Sequence, residues 1–113
     1  MMKKLLVVWK SDNDIDIHNF IVPYVYNSKI NAWFSDIELL IWGASQHKVT
    51  EEPTIQEKVK NLIKNGVKVY ACKFCADNVG ATELLESLGV NVMYTGVFLS
   101  DKMKDPDTEV ISI

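Results

Sequence analysis

Apolar runs alternate with amphipathic or polar stretches along the whole chain. Lys4–Trp9 is continuously apolar after its first residue and partly β-branched, as a strand buried on both faces requires. Ser11-Asp12-Asn13-Asp14 follows, rich in helix-capping types. Ile15 to Ile30 reads as a helix, with Ile17, Phe20, Ile21, Tyr24 and Val25 along one stripe. Pro23 inside it predicts a kink or a lost hydrogen bond. Asp36–Trp42 reads as a second strand closed by Gly43, and Ala44–Thr50, with Ser45 and His47, as a loop. Ile55, Val59, Leu62 and Ile63 repeat at helical spacing, opened near Pro53 and stopped by Asn65-Gly66.

Val67–Ala71 is the predicted third strand, and the segment after it begins a short helical turn that Gly80 interrupts. Thr82–Leu88 resumes as helix, with Leu84, Leu85 and Leu88 inward and Gly89 as its stop. Val90–Tyr94 is a fourth strand, Phe98–Met103 makes one or two helical turns, and Thr108–Ile113 makes a fifth strand at an edge. Strands that alternate with helices give a parallel sheet covered by right-handed crossovers. The predicted fold is an α/β, three-layer, flavodoxin-like sandwich: a five-stranded, mainly parallel sheet with helices on both faces and a flavodoxin-like strand order. Functional loops in such sheets lie beyond the carboxyl ends of the strands: Lys10–Asp14, Gly43–Thr50, Cys72–Ala76 and Thr95–Phe98.

The 113 residues make a single domain, 1–113, the expectation. A net charge of −3 argues against a surface built for nucleic acid or acidic membranes. The apolar start Leu5–Trp9 is shorter than the roughly 7–15 residues of a signal core and the roughly 20 of a spanning helix. A cytoplasmic protein is therefore expected, with no nucleic-acid or membrane partner. In a reducing compartment its cysteines are reactive or metal-binding rather than a structural bridge.

The two cysteines fall in Cys72-Lys73-Phe74-Cys75, where the third apolar run passes into a helical pattern. Unpaired N–H groups and the helix dipole favour a thiolate there, and a helix start draws a thiol pKa down to about 3.5–7.5. Cys75 is read as the first helical residue and as the nucleophile. Cys72 fits equally as a core residue or as a second functional thiol. A zinc site needs more than Cys72, Cys75, His18 and His47 at these spacings. The acidic loop Lys10–Asp14 is unsuited to phosphate, and no GxGxxG is present. No metal and no cofactor are expected. Trp9 and Trp42 end neighbouring strands and are read chiefly as core, with the site as the alternative.

Ala71-Cys72-Lys73-Phe74-Cys75-Ala76-Asp77-Asn78-Val79-Gly80, preceded by Asn65-Gly66-Val67-Lys68-Val69, resembles the DsrE/DsrF-like family. Val8–Asp12, Leu40–Ser45 and Leu88–Gly96 resemble it too, so the similarity spans nearly the whole chain. The resemblance implies the three-layer fold, homo-oligomers (trimers or hexamers), and a sulfur relay in which the cysteine that begins the helix after the third strand carries a persulfide. That position is Cys75. Sulfur donor and acceptor proteins are the implied partners. The expected chemistry is sulfurtransferase-like exchange at sulfur, with Cys75 and Cys72 as reacting residues. Gly43, Ser45 and the main chain of Ala76 and Asp77 would hold the persulfide. Two alternatives stand beside it: a non-catalytic assembly module with an inert thiol, and a dithiol oxidoreductase.

Overall fold

The computed structural model describes residues 3–113. The expected domain begins at Met1, and Met1 and Met2 lie outside the described residues. Five strands, β1 (Lys4–Trp9), β2 (Asp36–Ile41), β3 (Lys68–Cys72), β4 (Asn91–Met93) and β5 (Thr108–Ser112), form one sheet in the order β4-β3-β2-β1-β5, and every pairing is parallel. The three layers are those expected, but the order departs from the 2-1-3-4-5 of flavodoxin. From β1 to β4 every step goes the same way; only the last crossover, β4 to β5, runs back.

Right-handed crossovers turn that order into an unequal sandwich. Helices α1 (14–30), α2 (Ala44–Glu51), α3 (Pro53–Lys64), α4 (Lys73–Asn78) and α5 (Thr82–Ser87) all cover one face. Its core joins Leu5, Val7, Trp9, Leu39 and Val69 to Ile17, Ile21, Val25, Ile55, Val59, Leu62 and Leu85. Helix α6 (Thr95–Lys104) alone covers the other face, where Phe98 and Leu99 meet Leu6, Val8, Leu40, Trp42 and Tyr70.

Helix α1 widens just before Pro23. Residues Ile17–Ile21 form a π turn, in which Val22 N–H reaches Ile17 O. Ala44–Glu51 is a helix, not the expected loop. It starts from Gly43 with no side-chain cap, and Gly43 has a φ of 75°, a conformation few other residues adopt. Helix α6 begins at Thr95, earlier than its apolar spacing predicts.

Glu38, 4% exposed, lies under α6 on the thinly covered face. Lys102 Nζ of α6 and Tyr70 Oη (2.8 Å) both donate to its carboxylate, and Lys102 also stands 5.4 Å from the centre of the Phe98 ring. Burial, then the hydrogen bond to Glu38, pushes the Tyr70 hydroxyl well above the usual range, so it stays a donor. This pair fastens α6 to the sheet. Lys102→Met should lower the unfolding free energy by on the order of 2 kcal/mol, less than the roughly 3–5 kcal/mol of a fully buried pair, because the Lys102 side chain stays 25% exposed. The double replacement Glu38→Leu, Lys102→Met should recover most of that loss. Urea denaturation reads both; a single variant as stable as the parent would contradict the fastening role.

Candidate functional site

Successive strands of the sheet send their following helix to the same face until β4, whose chain turns to the other. The topological switch point, where open sheets of this kind form their crevice, therefore lies between the carboxyl ends of β3 and β4. Cys72 ends β3 and pairs in register with Met93, the last residue of β4. Cys72 is followed at once by α4 and Met93, after Tyr94, by α6. Both cysteines are free.

Cys72 is the N-cap of α4, because the helix starts directly at Lys73 with no intervening loop. Cys75 is thus the third helical residue rather than the first, because the helix begins two residues earlier than expected. The consequence is electrostatic. Burial alone pushes the Cys72 thiol up, but the N–H and thiol of Cys75, the Thr95 hydroxyl and the Phe74 N–H together bring it below the ordinary value. Cys75 moves the other way: burial, the contact with the Cys72 sulfur and that sulfur's charge raise it, against a smaller opposing effect from the Trp42 indole N–H. Of the two, Cys72, which is 5% exposed, is the more easily ionised thiol and Cys75, which is half-buried, the less, the reverse of the order that the spacing suggested.

The main chain of Cys72 is held from β2's side by a side chain. β2 ends at Ile41, which pairs with Ala71, so Cys72 has no β2 neighbour. Gln46 of α2 takes that place: its Nε2 donates to the Cys72 carbonyl (2.9 Å), and the Cys72 N–H donates to its Oε1 (3.2 Å). One amide thus extends the ladder by a residue and leaves neither buried group unpaired. Nothing in the sequence marked Gln46, since its role depends on where β2 stops.

The other expected site residues are placed as follows. Ser45 is fully buried, and its hydroxyl donates to the Trp9 carbonyl, with the Trp42 carbonyl 3.2 Å away; it joins α2 to the strand ends and is not free to hold a persulfide. Ala76 is buried in the core of the helix-rich face. Asp77 is exposed and accepts from Lys73 Nζ (3.0 Å) and Thr82 Oγ1 (2.6 Å), which holds its carboxyl below the usual range. The amides directed at sulfur are those of Phe74 and Cys75, not of Ala76 and Asp77. Gly43 is exposed and accepts the Gln46 N–H (3.1 Å), so it supports the clamp. Trp42 faces Cys75, whereas Trp9 is core and donates to Ser11 O (2.8 Å). His47 is exposed and His18 half-exposed. Among the described residues no group of three His, Cys, Asp or Glu side chains is near enough to share a metal ion.

Thr95, the first residue of α6, was within an expected functional loop but not singled out. It is 2% exposed, and its hydroxyl faces the Cys72 sulfur without completing a hydrogen bond of ordinary geometry.

Comparison with known proteins agrees with this architecture. The profile of the DsrE/DsrF-like family matches residues 26–108, a span that includes both cysteines, Gln46 and Thr95. A solved structure described as a conserved protein of unknown function, BT1422 from Bacteroides thetaiotaomicron, matches with a TM-score of 0.93 and 30% identity, covering 98% of this chain and 95% of that one. The ychN protein from E. coli matches with a TM-score of 0.71 and 20% identity over 100% of both chains, which speaks for the fold alone. No curated protein matches. With the profile covering most of the chain and the fold shared end to end, the protein belongs to the DsrE/DsrF-like family.

Proposed function

We propose that the protein is a small cytoplasmic sulfur carrier in which Cys75 receives sulfur and Cys72 manages its proton. What supports the reading is a buried thiol at the cap of α4, within reach of the Phe74 and Cys75 amides, in contact with a half-buried second thiol that is the harder of the two to ionise. In the first step the Cys75 thiol gives its proton to the Cys72 thiolate. The Cys75 thiolate then attacks the outer sulfur of a donor persulfide, R–S–SH. The donor S–S bond breaks, R–S⁻ leaves, and Cys75–S–SH remains. An acceptor thiolate reverses the exchange. No electrons are gained or lost overall, so no redox partner is needed.

The same charge arrangement favours a second reading, a dithiol oxidoreductase, since an ionised cap thiol beside a protonated one is poised to close a disulfide. Intact mass separates the readings. After reduced protein meets a persulfide-charged sulfurtransferase, the carrier gains one sulfur atom, and Cys75→Ser abolishes the gain. A loss of two hydrogens with no sulfur gained would favour the oxidoreductase. An unchanged mass would leave only an inert assembly module.

The charge assignment is tested by ultraviolet thiolate absorbance. The pair should titrate in two steps, one below and one above the usual thiol value. The Cys72 contribution to stability is present above the unfolded thiol pKa and is lost as pH falls through its depressed value. The Cys75 contribution is present below the unfolded pKa and is lost as pH rises through its raised one. Cys75→Ala should move the first step up, and Cys72→Ala should move the remaining step down. Two thiols that titrate together at the ordinary value would contradict the assignment.

The reading includes a homo-oligomer, trimer or hexamer, with sulfur donor and acceptor proteins as partners. Exposed Phe20, Ile30 and Trp33 support a subunit contact on the helix-rich side, where the Trp33 and Tyr24 rings (6.0 Å between centroids) and the Tyr24 and Phe20 rings (6.4 Å) pack at tilted angles. Light scattering should give a multiple of the chain mass; a monomer at micromolar concentration would refute this part.

A further inference from the structure

The N-terminus of α6 is a second source of amide donors at the crevice, separate from α4. Its cap residue, Tyr94, supplies no side-chain acceptor, so the first-turn N–H groups of this ten-residue helix lack the usual partner. Gly96, the second helical residue, leaves open space where a Cβ would stand. Thr95 adds an independent observation. Its hydroxyl is buried and unsatisfied, which costs free energy unless something completes it. What it faces is the Cys72 sulfur.

We propose that Thr95 and the first turn of α6 form a seat for the terminal sulfur of a persulfide on Cys72, making Cys72 the storage position and Cys75 the entry position. This rests on the sulfur-carrier reading. A seat of hydroxyl and amide donors suits an anion, and a persulfide is more acidic than a thiol, so its outer sulfur carries the charge.

The transfer balances. After Cys75–S–SH has formed, the departed donor thiolate takes the proton from Cys72 and leaves as R–SH. The Cys72 thiolate attacks the outer sulfur on Cys75. The Cys75 S–S bond breaks, and the Cys75 sulfur leaves as a thiolate that takes the persulfide proton. Cys72–S–S⁻ and Cys75–SH result. The pair begins and ends with one negative charge, and the charge ends on the buried side, beside Thr95.

Trypsin makes the two positions distinguishable, because cleavage after Lys68, Lys73 and Lys102 places Cys72 on Val69–Lys73 and Cys75 on Phe74–Lys102. Protein loaded from a persulfide-charged sulfurtransferase is alkylated, digested and mapped by mass. In the parent the extra sulfur should lie mainly on Val69–Lys73. Thr95→Val, close in shape but without the hydroxyl, should shift the Cys72-to-Cys75 ratio by about tenfold toward Cys75. Thr95→Ser should keep the parent distribution. Thr95→Val should also raise the first thiolate titration step, with Thr95→Ala serving the same comparison should the valine disturb folding. Sulfur found mainly on Phe74–Lys102 in the parent, or a ratio indifferent to Thr95→Val, overturns the seat while leaving the carrier reading intact. No sulfur on either peptide overturns both.

Discussion

A single reversal of winding direction creates the site. While each strand is laid beside the last in the same sense, right-handed crossovers stack every helix on one face. The chain runs out of that option at β4, and the return to β5 must cross the other face. Only at the boundary between β3 and β4 do neighbouring strand ends send their chains apart. Cys72 stands at that boundary on the face of α6, yet the helix it caps lies on the opposite face. Its sulfur therefore lies within reach of amides from α4 and faces the unpaired Thr95 hydroxyl of α6.

Holding a charge at a nearly buried atom requires that nearby acids be neutralised and nearby polar groups be paired. Both conditions are met by specific contacts. Asp77, one turn from the sulfur-directed amides, is tied to Lys73 and Thr82. Glu38, on the same face as Tyr70 and Cys72, is tied to Lys102 and Tyr70. Gln46 completes the Cys72 main chain with a neutral amide, which adds no competing charge. Helix α6 is thus fastened to the sheet near its C-terminal end by Lys102, while its first residue, Thr95, stands beside Cys72.

Much of this was legible in the chain, and the failures have physical causes. The apolar runs identified β1, β2 and β3, because strands buried on both faces leave little choice of residue, whereas β4 and β5 are short or exposed edge strands with weaker patterns. The amphipathic spacing at Ile55, Val59, Leu62 and Ile63 identified α3, whose Ile55, Val59 and Leu62 are wholly buried. Helix α2 escaped notice because Gly43 starts it without a capping side chain and it buries Ser45, Gln46 and Val49 rather than an apolar stripe. The cysteine segment was recognisable as a strand-to-helix junction, but the residue at which the helix starts was not. Whether α4 starts at Lys73 or Cys75 decides which sulfur caps it, and the local pattern does not distinguish a strand that runs straight into a helix from one followed by a short loop. Gln46 and Thr95 carried no signal of their own, since each matters only through the point where a distant strand ends.

Two thiols of unequal burial answer a conflict that one thiol leaves unresolved. Sulfur exchange between proteins needs a reachable nucleophile, whereas a retained persulfide needs shelter and donors for its outer anion. A fully exposed cysteine satisfies the first need and a fully buried one the second. Here the short helix places the sulfurs within contact of each other but on opposite sides of that divide, with Trp42 against the half-buried one and Thr95 against the buried one. In the proposed carrier, passing a proton from Cys75 to Cys72 would expose reactivity at one sulfur and withdraw charge from the other in a single event. Access and ionisation would then be coupled by the junction between β3 and α4 rather than by either cysteine alone.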